Sequence, residues 1–192
     1  MRKIIAIAVL TLMLLPAMAA AAPKGELPYG AQTRLTVDYD KFLDVYYISP
    51  NRALIGSATN RPRVTLDMQR TSKSKGLFML VVHISKDWVY INHGVFLIDG
   101  IRYETPILDL FGSFVLHDVF DGYCYEYLFF TSSNPAVATI IEAIKKAGVA
   151  GVVEYKFYGD NGTSSGVMSE GEKQVWIDML DYYEYFDLPQ IF

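Results

Sequence analysis

The sequence has almost no cysteine: Cys124 is the only one among 192 residues. No intramolecular disulfide can form, so the folded chain must be stabilised by its hydrophobic core. Cys124 lies in a strand-like run whose nearest charged residue is Glu126, whereas a reactive thiol needs basic neighbours. We therefore interpret Cys124 as a small, buried, apolar residue.

The chain also lacks the short motifs on which many cofactor and metal sites depend. It contains no phosphate-binding loop, no dinucleotide-binding glycine pattern, no H-E-x-x-H pair and no EF-hand loop. The three histidines, His83, His93 and His117, are separated by 10 and 24 residues, which matches no compact set of metal ligands. We therefore expect no cofactor and no metal.

Only one long apolar run is present, and it lies at the start. Met1 to Lys3 is basic, 4–15 is apolar apart from one threonine, and 17–22 offers several A-x-A cleavage frames. The run is too short to cross a bilayer, so we predict a cleaved signal peptide over 1–21 and a periplasmic or secreted location. No cysteine lies near the cleavage site, so we expect no lipid anchor. No later run is long enough for a membrane span in the mature chain.

Positive charge is scarce as well. The chain has 17 basic and 21 acidic residues, a formal net charge of −4. Removal of Arg2 and Lys3 with the signal peptide leaves 15 basic against 21 acidic residues, a net charge of −6. A negatively charged protein without a compact basic cluster binds the phosphate backbone of nucleic acids poorly, so we expect no nucleic-acid partner.

The periodicity of the remaining chain indicates its fold. Residues 22–32 hold two prolines and two glycines and predict a flexible lead. From 33 to 131 apolar residues recur with a period of two, and helical spacing appears only afterwards. This order predicts an α+β domain over 33–192: a mainly antiparallel β-sandwich or curled sheet of about 8–10 strands. Two helices follow at about 135–147 and 170–186.

Two Asp-Gly pairs predict tight hairpins within this sheet. Asp99-Gly100 separates two apolar runs, and a type I′ turn there pairs Ile98 with Ile101. Asp121-Gly122 separates two further strand-like runs in the same way.

The helix boundaries have their own local signals. Asn134 and Pro135 predict the cap and first residue of the first helix, and Gly148 predicts its end. Ser169 and Glu172 form a capping box that begins the second helix. The apolar stripe of the second helix is predicted to hold Trp176, Met179, Leu180 and Tyr183, with Asp178, Asp181 and Glu184 off it.

One segment matches a catalytic motif. Residues 162–166 read G-x-S-x-G with Ser164 at the centre, the pattern of a nucleophile elbow. In that fold the histidine follows the serine, yet all three histidines precede Ser164. The alternating βα units of that fold are missing too, so we favour a Gly/Ser-rich turn and predict no catalytic residue. Whether the protein is an enzyme stays open, with the balance against it.

Aromatic residues are the most prominent feature of the sequence. Tyr123, Tyr125 and Tyr127 share one face of a predicted strand, and Trp88 and Tyr90 alternate in another. Such faces bind sugar rings or peptides, although they also serve sheet packing. We name these five residues as candidate binding residues. The leading hypothesis is a noncatalytic binding protein of the cell envelope, whose partner is a protein, peptide or glycan. The alternatives are a carbohydrate-binding module and, third, an envelope hydrolase.

Several short segments also carry a resemblance over most of the mature chain. These segments are Asp40-Lys41-Phe42, Asp87-Trp88-Val89-Tyr90-Ile91, Asp99-Gly100, Phe157-Tyr158-Gly159 and Met179-Leu180-Asp181-Tyr182-Tyr183. In this order they resemble a group of small uncharacterised bacterial exported proteins. The resemblance implies export and supplies no catalytic or binding residue.

Overall fold

The computed structural model describes residues 34–51, 61–108 and 113–190, and side chains within them except those of 113 and 114. This part of the chain contains ten strands and two helices. The first six strands are β1 (Leu35–Asp40), β2 (Val45–Pro50), β3 (Arg63–Arg70), β4 (Lys75–Ser85), β5 (Ile91–Ile98) and β6 (Ile101–Glu104). The remaining elements are β7 (Ser113–Phe120), β8 (Tyr123–Thr131), α1 (Pro135–Ala147), β9 (Val153–Gly159), β10 (Gly162–Val167) and α2 (Glu170–Tyr185). The predicted signal peptide and flexible lead lie outside the described residues.

The strands form two antiparallel sheets. The first has the order β1-β2-β3-β4-β8-β7 and the second has the order β10-β9-β5-β6. Neither sheet closes into a barrel, and both helices lie in the C-terminal half, so the predicted α+β class is confirmed. Within the described ranges, neither helix is long and apolar enough to cross a membrane.

One hydrophobic core joins these layers. It takes Leu66, Met79 and Leu128 from the first sheet, Phe96 and Phe157 from the second, and the buried faces of both helices. Alternation along each strand explains the arrangement, because residues two apart share a face and only one face of each sheet enters the core. Helix α2 packs on β1, β2 and β3, while α1 packs on β5 and β6 and against α2.

Both Asp-Gly hairpins form as predicted. Asp99 and Gly100 have φ of 49° and 80°, and Ile98 pairs with Ile101. Asp121 and Gly122 repeat this geometry with φ of 51° and 73°. A type I′ turn needs positive φ at both central residues, which aspartate tolerates and glycine adopts without strain.

Helix α1 also follows its sequence signals. The side chain of Asn134 accepts a hydrogen bond from the Ala136 N–H, Pro135 is the first helical residue, and Gly148 ends the helix at φ 65°. The buried face consists of Val137, Ile140, Ile141 and Ile144. These residues recur at the spacing of one helical stripe, so the pattern predicts both the helix and its orientation.

The sequence prediction for helix α2 needs two corrections. The capping box of Ser169 and Glu172 is present, but the predicted apolar stripe omits Tyr182 at one end. Tyr182 is the buried residue, 1% exposed, and Tyr183 is only partly buried. Asp178 is buried at 7% exposure although it was predicted off the stripe. Its carboxylate accepts two hydrogen bonds from the Arg34 guanidinium, and this ion pair compensates for its burial.

Candidate functional site

A row of three polar side chains crosses the inner face of the first sheet. Register places His83 on β4 opposite Glu126 on β8, and Glu126 opposite His117 on β7. Facing residues on neighbouring antiparallel strands point to the same side of a sheet. His83 is 3% exposed and Glu126 is fully buried, whereas His117 reaches solvent.

Glu126 is the anchor of this row. Its Oε2 accepts a hydrogen bond from the Val89 N–H at 3.3 Å, and its Oε1 accepts one from the Ile91 N–H at 3.3 Å. The Nε2 atom of His117 lies 3.4 Å from the same Oε1. A buried carboxylate is tolerated only with such partners. Glu126 therefore fixes the segment between β4 and β5 against the sheet.

The second sheet holds that segment from the other side. The N–H of Asn161 donates to the Val89 carbonyl at 3.1 Å, and the N–H of Asp160 donates to the Tyr90 carbonyl at 3.3 Å. Gly159 makes this approach possible, because a Cβ there would lie 2.2 Å from the Val89 carbonyl oxygen. Tyr90 adopts φ 53°, a left-handed conformation that is unfavourable for a bulky residue and needs such surrounding contacts.

The segment between β4 and β5 carries an aromatic cluster. The rings of Trp88 and Tyr90 stack with centroids 5.7 Å apart and an interplanar angle of 27°. The His117 ring meets Trp88 edge-on at 5.1 Å and Tyr90 at 5.5 Å. These offset and edge-to-face arrangements are the favourable ones for aromatic pairs. Trp88 is thereby held in one orientation while it remains partly exposed.

Trp88 forms part of the wall of an open cleft of about 540 Å³. The cleft lies where the end of β4, the following segment, the start of β8, the β9–β10 turn and the start of β10 meet. Its lining consists of His83, Ser85, Lys86, Asp87, Trp88, Val89, Tyr123, Asn161, Thr163 and Ser164. Most of these side chains are polar.

His83 and Ser164 meet inside this cleft across the two sheets. The Ser164 Oγ lies 3.5 Å from the His83 Nδ1, at the outer limit of a hydrogen bond. Burial lowers the pKa of His83, and the nearby Glu126 charge opposes the shift in part. His83 is therefore a neutral imidazole at pH 7 and can accept or donate a hydrogen bond.

The G-x-S-x-G segment does not form the predicted turn. It lies within strand β10, where Ser164 pairs with Phe157 of β9. The sharp strand-to-helix turn of a nucleophile elbow is therefore not present at Ser164. Gly166 is required there for another reason, since a Cβ would lie 2.5 Å from the Tyr155 hydroxyl.

The five predicted binding residues lie on two different faces. Tyr123, Tyr125 and Tyr127 are on the outer face of the first sheet and partly buried, while Trp88 and Tyr90 cross its inner face. Tyr125 stacks on Tyr127 with centroids 6.2 Å apart. Tyr127 also packs on the outer-face residues Leu80 and Val82.

Tyr123 connects the two groups. It lines the main cleft together with Trp88, and it lines a smaller cleft of about 240 Å³ together with Tyr125 and Phe120. Tyr90 stacks on Trp88 but lines neither cleft, and Tyr127 also lines neither cleft. The candidate site is therefore built around Trp88 and Tyr123.

Sequence reasoning missed the residue that organises the site. Glu126 is the one charged residue among the inward-facing positions of β8, which otherwise hold Cys124, Leu128 and Phe130. A carboxylate at an otherwise apolar strand face is the signal that could have revealed it, since burial requires dedicated partners. Cys124 itself is buried as predicted, its Sγ faces the Lys86 carbonyl, and burial raises its pKa.

Within residues 34–51, 61–108 and 113–190, no group of three or more His, Cys, Asp and Glu side chains could hold a metal ion. No protein-family model, curated protein or solved structure matches the chain.

Proposed function

We propose that the protein is an exported, noncatalytic binding protein of the bacterial cell envelope that holds its ligand in the cleft around Trp88 and Tyr123. Export rests on the signal-peptide pattern of residues 1–21. The single observation that carries the binding role is the clamped aromatic wall. Trp88 lines an open polar cleft and is fixed there by Tyr90, His117 and the buried Glu126.

The cost of this arrangement supports a binding role. Glu126 is fully buried, and Tyr90 has a left-handed backbone conformation, yet the result is only a partly exposed indole. Strained backbone conformations reduce stability and cluster at active sites and ligand clamps, and a buried charge reduces stability unless it is paired. A rigid aromatic wall loses little conformational entropy when a ligand binds.

Capture of an envelope ligand by the purified protein tests this function. We expect the wild-type protein to retain a component of the envelope fraction and Trp88→Ala to lose it. Tyr185→Ala is the matched control, because Tyr185 is an exposed aromatic residue at the end of α2 and outside the cleft lining. Equal retention by all three proteins, or no retention by any, would contradict the proposal.

A hydrolase is the second candidate, and the approach of Ser164 to His83 is the observation that favours it. A fluorophosphonate probe distinguishes the two functions, since it reacts only with an activated serine. Our proposal expects no labelling. Labelling that Ser164→Ala abolishes and Ser165→Ala preserves would favour the hydrolase, because Ser165 is exposed and outside the cleft lining.

A further inference from the structure

We infer that the cleft binds an uncharged carbohydrate, with Trp88 as the stacking platform and with the β9–β10 turn and the start of β10 as the polar wall. This inference rests on the proposed binding function and narrows it to one class of ligand. It follows from three properties of the cleft: the chemistry of its polar groups, the position of its aromatic rings and its balance of charge.

The polar groups suit a ligand that is dense in hydroxyl groups. Ser164 presents a hydroxyl, 3.5 Å from the His83 Nδ1, that can donate and accept. Thr163 and Asn161 also line the cleft, and their side chains carry both donors and acceptors. A sugar hydroxyl also donates and accepts, so it can satisfy such groups in either direction. An apolar peptide side chain would instead leave them desolvated without partners, which costs about 1–3 kcal/mol for each group.

The aromatic rings supply the other half of carbohydrate recognition. Trp88 and Tyr123 line the same cleft as the polar wall, and both are partly exposed. A sugar ring has one apolar C–H face that packs flat on an aromatic side chain, while its edge carries the hydroxyls. One aromatic side and one polar side therefore match the two kinds of surface on a single sugar ring.

The charge of the cleft favours neutral sugars over anionic ligands. Lys86 and Asp87 are adjacent in the lining and offset each other, so the cleft carries no net positive charge. Burial keeps His83 neutral at pH 7. The net charge of −6 on the chain without its predicted signal peptide (15 basic against 21 acidic residues) further opposes phosphates, nucleotides and uronic acids.

The test is an isothermal calorimetric titration with three sets of probes. The probes are neutral oligosaccharides of glucose, mannose and N-acetylglucosamine, uronic-acid oligosaccharides, and uncharged peptides of similar length. We expect saturable binding of at least one neutral oligosaccharide and weaker binding, by about tenfold or more, of the uronic-acid set. We expect Trp88→Ala to lose about tenfold or more in affinity, which corresponds to about 1.4 kcal/mol.

Two further variants test the polar wall and the location of the site. Asn161→Ala should weaken oligosaccharide binding several-fold, while Ser165→Ala, at the neighbouring exposed position of β10, should leave it unchanged. Circular dichroism reports whether each variant is folded.

The outcomes separate the ligand class from the binding function. Trp88-dependent binding of peptides alone would overturn the carbohydrate inference and leave the proposed function standing. Failure of all probes together with failure of envelope capture would overturn both. Oligosaccharide binding that Trp88→Ala leaves unchanged would overturn the assignment of this cleft.

Discussion

The two tryptophans of this chain occupy opposite kinds of environment. Trp176 on α2 is 1% exposed, and its indole N–H donates to the Val64 carbonyl at 3.1 Å. Trp88 lies between β4 and β5, is partly exposed, and is held by ring contacts with Tyr90 and His117. The first position contributes to the core that stabilises the fold, and the second forms a wall of the cleft.

This difference separates a position that stabilises the fold from the position at which we propose that the ligand binds. The environment of Trp176 buries a large apolar area and provides a partner for the indole N–H, which favours folding. The environment of Trp88 contains the buried carboxylate of Glu126 and the left-handed backbone of Tyr90, and both oppose folding unless their partners are present. Substitutions at the two sites should therefore separate loss of stability from loss of binding.

The largest effect on stability is expected for Trp176→Ala. We expect the free energy of unfolding to fall by about 3–5 kcal/mol, because a large core cavity forms and the Val64 carbonyl loses its partner. Urea denaturation followed by circular dichroism measures this change. Trp88→Ala is the matched control and should lose less than about 1.5 kcal/mol, since Trp88 is partly exposed. Equal losses at both positions would contradict the distinction drawn between them.

Glu126→Ala is expected to have the second largest effect. The N–H groups of Val89 and Ile91 lose their acceptor, so the free energy of unfolding should fall by about 1–3 kcal/mol. Ligand binding in the cleft should weaken as well, because Trp88 is no longer fixed. Glu142→Ala removes an exposed glutamate of α1 and should change both measurements by less than about 0.5 kcal/mol. A Glu126→Ala protein with unchanged stability and affinity would show that Glu126 does not anchor the site.

Loss of the α2 cap should have a smaller effect that is confined to stability. Ser169→Ala removes the side chain that accepts from the Glu172 N–H at 3.2 Å, and we expect a loss of about 1 kcal/mol. Affinity for the cleft ligand should not change, since neither residue lines the cleft. Thermal unfolding and the oligosaccharide titration check the two parts separately, and a change in affinity would show coupling between α2 and the site.

The smallest effect is a dependence of stability on pH that arises at His83. Burial lowers the pKa of His83 in the folded state, so the unfolded chain binds its proton first as the pH falls. Stability should therefore decrease below about pH 6.5 and continue to decrease until the lowered pKa of the folded state is reached. His83→Gln should reduce this slope in urea denaturation between pH 7 and pH 5. An unchanged slope would mean that His83 does not titrate differently in the two states.

The parts of the fold that depend on local chemistry could be predicted from the sequence. The turn at Asp99-Gly100 and the caps at Asn134 and Ser169 require particular residues at particular dihedral angles, so their residues identify them. The end of α2 was less predictable. The choice between Tyr182 and Tyr183 depends on the helix orientation against β1–β3, which local periodicity does not determine.

The candidate site could be predicted only in part, because it depends on the order of the strands. Trp88 and Tyr123 were both named from sequence, but their meeting at one cleft follows from the pairing of β4 with β8, where Ser85 faces Cys124. That pairing joins segments about 40 residues apart, and nonlocal register leaves little trace in a single sequence. The same holds for the contact of Ser164 with His83, which needs the two sheets to approach each other.

The most direct test of the central claim uses the contrast between the tryptophans. In a Trp176→Phe protein, Trp88 is the only indole, so its emission reports on the cleft alone. We expect a neutral oligosaccharide to change this emission in a saturable way, and the matched Trp88→Phe protein to show no change in the emission of Trp176. An unchanged Trp88 emission at oligosaccharide concentrations where calorimetry detects binding would contradict the account.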